Sequence, residues 1–237
     1  MNIPVGARYP NPFYVKPPSP IPGTSAMAEL RSSQRCASIA SMQPEKIFTA
    51  SLRFAVKDYG SFLATRPSAR SARNDLEAEI ERERQDCLVV ISFHGVDAMT
   101  ISFADEFLGR FYSALSFGDI RVTGALIEGM NSETRETVSI CLERRDLVAA
   151  AVENDQGDLV GGAEFLRQTY AKSATLGTFR ASELSAALGI THQNANNRLK
   201  RLVEAGAVHR RRLALSDRGG KEFVYTALPV GAGRVVR

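Results

Sequence analysis

The run Leu88-Val89-Val90-Ile91-Ser92-Phe93, inside "DCLVVISFHGV" at 86 to 96, constrains this chain more than any other stretch. A half-buried strand alternates apolar and polar residues, because successive side chains point to opposite faces. This run does not alternate, so neither of its faces can be wet, and it should be a central strand.

Helical and strand patterns alternate around it. "KIFTASLRFAV" at 46 to 56 reads as strand, and after Pro67 a charged helix carries Leu76 and Ile80 at i, i+4. Glu77, Glu79, Glu81 and Glu83 on that helix, interleaved with Arg73, Arg82 and Arg84, read as a solvated face. Residues 102 to 115, "SFADEFLGRFYSAL", place Phe103, Phe107, Phe111 and Leu115 along one helical face, with Ser102 as N-cap and Asp105 and Glu106 in an acidic first turn. A strand within 120 to 129 and the helix "NSETRETVSICLERR" follow. The pattern predicts an α/β layer over 46–155, a mixed sheet with helices on one face.

The polar stretch "ENDQGD" reads as a linker to a second, smaller α+β region over 158–228. There a helix with Phe165, Leu166 and Tyr170 is followed by "TFRASELSAALGI", a helix with Gly189 at its C-cap. Thr191 caps a third helix, whose Ala195, Leu199, Leu202 and Val203 form one buried stripe. "VHRRRLAL" and "EFVYTAL" read as two strands joined by the basic, glycine-containing turn "SDRGGK". At 100° per residue, Gln193, Asn197 and Arg201 point away from the core, flanked by Asn194 and Lys200, while Asn196 lies near the stripe's edge.

Composition sets the outer limits. No apolar run approaches the roughly 18 residues that span a bilayer, and residues 1–45, with Pro4, Pro10, Pro12, Pro17, Pro18, Pro20 and Pro22 before a Ser/Ala/Arg stretch, are expected to be a disordered tail, as are 229–237. Met27 and Met42 are alternative starts, and no secretion signal is visible. Cys36, Cys87 and Cys141 are widely spaced and odd in number, which fits reduced thiols and a cytoplasmic location. Net charge is +2 over 1–45, −5 over 46–157 and +7 over 158–237. A basic end on an acidic middle suggests that one part meets a polyanion and the other does not. No metal cluster, cofactor loop or paired His and carboxylate is visible, and His94 reads as a core or loop histidine, so no enzyme, metal or cofactor is expected.

The stretch "VVISFHGVDAMTISFADEFLGRFY" resembles the STAS domains of sulfate transporters and anti-anti-sigma factors, and more closely a bacterial STAS-like family of unknown function with a "T-x-SFADE" motif, here Thr100 to Glu106. The likeness covers roughly residues 46 to 150 and implies a module that senses or binds a partner. In the anti-anti-sigma proteins a serine at the mouth of this helix is phosphorylated by a partner kinase, which makes Ser102, with Thr100 beside it, the candidate regulatory position. The family's Asp-Ser-Ser-Gly is Thr100-Ile101-Ser102-Phe103 here, without the acidic residue and the glycine. A structural N-cap is the plainer reading of Ser102.

The C-terminal region resembles the winged helix-turn-helix of bacterial transcription regulators over about 70 residues. That likeness implies binding of double-stranded DNA, with the third helix in the major groove. Gln193, Asn194 and Asn197 are the expected base-reading side chains, since Gln and Asn suit bidentate bonds to adenine, and His192 in the first turn is expected to touch a base edge or a phosphate. Arg198, Lys200, Arg201, Arg210, Arg211, Arg212, Arg218 and Lys221 are the expected cationic contacts, most of them to phosphate. One winged helix reads a half-site, so a homodimer is expected. Two readings stay open at this point: a DNA-binding transcriptional regulator, or a partner-switching adaptor whose STAS-like part docks a histidine-kinase-type ATPase and whose winged helix contacts protein.

Overall fold

The computed structural model describes residues 51–83, 87–153, 156–214 and 221–228. The expected tails 1–45 and 229–237 lie outside them. In chain order the elements are β1 (Ser51–Ala55), a 3-10 turn (Val56–Tyr59), β2 (Phe62–Leu63), α1 (Arg66–Arg82), β3 (Leu88–Ser92), β4 (Ala98–Met99), α2 (Ile101–Ala104), a π turn (Asp105–Gly109), α3 (Arg110–Phe117), β5 (Gly124–Glu128) and α4 (Ser132–Arg144). Then come β6 (Val148–Glu153), β7 (Gln156–Gly161), α5 (Glu164–Leu176), β8 (Thr178–Phe179), α6 (Ala181–Leu188), α7 (His192–Glu204), β9 (Val208–Ala214) and β10 (Lys221–Ala227).

The main sheet is mixed and mostly parallel, in the order β1-β3-β5-β6-β7, with only β7 antiparallel to its neighbour. Crossovers between parallel strands are almost always right-handed, so a sheet whose order advances in one direction receives every crossover helix on the same face. That face carries Val89, Ile91 and Ile127, packed in one cluster with Leu76 of α1, Phe103 and Phe107, Phe111 of α3 and Leu142 of α4. The opposite face gets no crossover helix. It carries Leu88, Val90, Leu126, Val148 and Ala150, and these cluster with Leu166, Tyr170, Leu184, Leu199, Leu202 and Leu228 from the C-terminal elements. The two halves of the described chain thus share a core, and β3 is buried at all five of its positions.

Close approach at this junction depends on two glycines. The Gly206 carbonyl accepts from Ala125 N–H at 3.1 Å. A Cβ on Gly206, whose φ is 66°, would lie 2.9 Å from that same nitrogen. A Cβ on Gly124 would meet Leu228 Cδ1 at 2.1 Å, so Leu228 fills the space that this glycine leaves.

Four expectations need correction. Residues 153–158 are not a linker: β6 and β7 form an antiparallel hairpin whose register closes with Glu153 opposite Gln156. The helix over 102–115 is not uniform. Four apolar residues at strict spacing four drift about 40° per step on an α-helix, and the π turn at Asp105–Gly109 takes up that drift, so Phe103, Phe107 and Phe111 are all fully buried. The N-cap is Thr100 rather than Ser102. Its Oγ1 accepts from Phe103 N–H at 3.2 Å and donates to Ala64 O at 2.8 Å, while Ser102 sits exposed inside the first turn. Starting the helix two residues earlier lets one hydroxyl serve both the helix and the β2–α1 connection.

Asp105 and Glu106 do not form a first turn either; each answers to arginine. Asp105 accepts from Arg145 Nε at 2.7 Å, which holds its carboxyl below the usual range. Glu106 is buried. Burial alone would raise its carboxyl, but the Arg70 hydrogen bond at 3.3 Å and the nearby Arg110 and Arg73 charges outweigh it and lower it. Cys87 and Cys141 are buried and outside any disulfide, and burial pushes Cys141 up to about 11.

Two outcomes follow for stability. Gly206→Ala should cost more than Gly189→Ala in denaturant unfolding: both pay the left-handed penalty of about 1 kcal/mol, but only Gly206 adds a backbone clash, about 1–3 kcal/mol more, since nothing lies within 4 Å of a Cβ at Gly189. Glu106→Gln should cost about 1–3 kcal/mol near neutral pH. Because the folded-state pKa is lowered, that contribution is present above the ordinary carboxyl pKa of about 4.3 and disappears as acid titrates the folded carboxylate. The variant and the parent should therefore converge in stability at low pH.

Candidate nucleic-acid interface

Helix α7 starts from a three-residue turn. Gly189, at φ 63°, closes α6, with Ile190 N–H bonded to Ser185 O at 3.1 Å. Thr191 then caps α7, its Oγ1 accepting from Asn194 N–H at 3.2 Å. Ala195, Leu199 and Leu202 are fully buried, and His192, Gln193, Asn194, Asn197 and Lys200 are exposed. After Ala205 the chain turns into the strands, where β10 pairs antiparallel with both β8 and β9 in the order β8-β10-β9.

The amides form a ladder along the helix. Gln193 Nε2 donates to Asn197 Oδ1 at 3.2 Å, and Asn194 Oδ1 accepts from Arg198 Nε at 3.0 Å. On the other flank, half-buried Asn196 lies with its Nδ2 3.1 Å from His192 Nδ1. These i, i+4 bonds hold the side chains along the axis before any ligand arrives.

Among the expected cations, three kinds of placement appear. Arg198 is half-buried: its guanidinium stacks over Phe165, 5.0 Å from the ring centroid, and Nη1 donates to Thr169 Oγ1 at 3.2 Å, so it fastens α7 to α5. Arg201 turns to the α/β half, with Nη2 donating to Asp146 Oδ1 at 2.6 Å and Asp146 O at 3.1 Å. Lys200 and the β9 side chains Arg210, Arg211 and Arg212 are exposed, with Arg210 over the Phe223 ring at 4.9 Å. Register puts Arg210 and Arg212 opposite Tyr225 and Phe223, and Arg211 opposite Val224 on the other face of the hairpin. Arg218 and the side chain of Lys221 lie outside the described residues.

Sequence reasoning missed Asp146. The available signal was "LERRDL", where a helix with basic residues in its last turn is followed by Asp at a position that glycine or asparagine usually holds. His94, expected in the core or a loop, is an exposed loop residue. Among the described residues, no group of His, Cys, Asp and Glu could hold a metal ion, and no helix is long and apolar enough to cross a membrane. No protein-family model, curated protein or solved structure matches this chain.

Replacing Arg198 by alanine should cost about 1–2 kcal/mol in denaturant unfolding with no DNA present, because stacking and a charged hydrogen bond are lost together. Lysine should recover little, since it cannot stack and donate in the same geometry. A cost below a few tenths of a kcal/mol would make Arg198 a surface cation and nothing more.

Proposed function

We propose that this chain is a DNA-binding regulator of transcription, in which a STAS-like half binds a partner or signal and a winged helix formed by α5 through β10 binds duplex DNA. One observation carries the reading: Gln193, Asn194 and Asn197 are exposed on the N-terminal half of α7, opposite its buried stripe and next to a basic hairpin. The Gln193–Asn197 bond leaves Gln193 Oε1 free to accept and Asn197 Nδ2 free to donate. That pair complements the N6 donor and N7 acceptor of adenine in the major groove. Exposed Lys200, Arg210 and Arg212 would supply phosphate contacts. The role is binding rather than catalysis, and two copies would be needed for a full operator.

A partner face on the α/β half keeps the adaptor reading in play. Phe62, 65% exposed, stands on β2, which pairs with β4 just before Ile101 and Ser102, both exposed. A kinase-like ATPase is the partner class that the STAS likeness suggests for that face, and Ser102 would be its target.

The discriminating experiment is a gel shift of the full chain on a pool of random-sequence duplexes across a salt series. The regulator reading expects retardation at low salt that falls steeply as salt rises. On the selected sequence, Asn197→Ala should cost about 1–3 kcal/mol and relax the preference at one base pair. Arg212→Ala should weaken all sequences alike and flatten the salt slope by about 0.9. No retardation at any salt favours the adaptor.

A further inference from the structure

Asp146 stands where α4 ends. Leu147 N–H donates to Leu142 O at 2.9 Å and Asp146 N–H to Glu143 O at 3.1 Å, with Asp146 left-handed at φ 52°. Among the described residues it is the only non-glycine with positive φ. Glycine or asparagine would close the helix at least as well, so a reason for aspartate must lie outside α4. Arg201 is that reason: both the carboxylate and the carbonyl of Asp146 accept from its Nη2.

The bond is open to solvent, with 81% of the Asp146 side chain and 34% of Arg201 exposed. An ion pair this exposed is screened and gives up its partners readily. It also borders a cleft of about 50 Å³ that Tyr112, Ser116, Leu147 and Glu204 help to line, so the α4–β6 turn is not packed solidly against α7 there. Arg201 follows Asn197 by one helical turn, beside the exposed amides.

We propose that Asp146 is a brake on nucleic-acid binding, because the α/β half and a DNA phosphate compete for the Arg201 guanidinium. The inference rests on the DNA-binding reading above. While Asp146 holds Arg201, the cation is neutralised one helical turn from Asn197. When phosphate takes Arg201, the α4–β6 turn is released. A partner that draws the turn away from α7 therefore tightens DNA binding, and DNA tightens that partner's binding by the same factor. The halves need not separate, since the apolar sheet face stays covered throughout.

The test is Asp146→Asn in the full chain, which removes the charge but keeps a residue suited to the left-handed position. On a random-sequence duplex pool it should bind severalfold tighter at low salt, with a slope of log affinity against log salt steeper by about 0.9, the contribution of one phosphate. In an Arg201→Ala background the same substitution should change neither quantity. An equal gain in that background would reduce the effect to removal of a nearby negative charge and overturn the brake, as would weaker or unchanged binding by Asp146→Asn. Asp146→Gly, equally at home at positive φ, repeats the measurement if the asparagine variant unfolds in a thermal melt. Parent binding with an unaltered variant sinks the brake alone, whereas retardation by neither protein overturns the DNA reading and the brake with it.

Discussion

Burial of β3 on both faces is the constraint from which the rest of the structure follows. Its odd and even side chains enter different cores, one under α1, α3 and α4, the other under α5 and α7. A sheet that grows in one direction can cover only one face with its own crossovers. The second face must be closed by later chain. Leu88, Val90 and Leu126 alone represent on the order of 5–8 kcal/mol of burial, comparable with the whole stability of a typical domain, about 5–15 kcal/mol. The C-terminal helices are therefore the wall of the sheet's second core as well as a structure of their own.

Elements governed by their own periodicity were legible in the sequence. The stripe of α7, the Thr191 cap, the helix after Pro67 and the two-faced strand all follow from residues within one turn or one strand. The rest was set by contacts that local pattern does not contain. Ser102 looked like a cap because the demand of Ala64 O for a donor, which favours Thr100, comes from another element. The β6–β7 hairpin was hidden because Ala149, Ala150 and Ala151 are poor strand formers held in place by burial. Phe103, Phe107 and Phe111 did carry a legible clue to the π turn, since strict spacing of four cannot stay in line on an ideal α-helix. For the candidate interface, the helical wheel placed the amides correctly but sent Arg201 outward, because a wheel knows nothing of the turn at Asp146.

The charge division of the sequence takes on a different meaning in three dimensions. An acidic middle and a basic end suggested separate partners, but part of each charge is matched internally: Arg201 with Asp146, and Arg167 with Glu143 at 3.5 Å.

The hydrogen bond from Ala125 to the Gly206 carbonyl has a consequence for how the chain can be divided. A unit that can be cut free of its neighbour must end in a surface that tolerates water. Here the chain leaving α7 runs backbone to backbone against the middle strand of another layer, through a glycine with no room for a methyl group. Cutting the chain between β7 and α5 would expose Leu88, Val90 and Leu126 on one side and Leu166, Leu199 and Leu202 on the other.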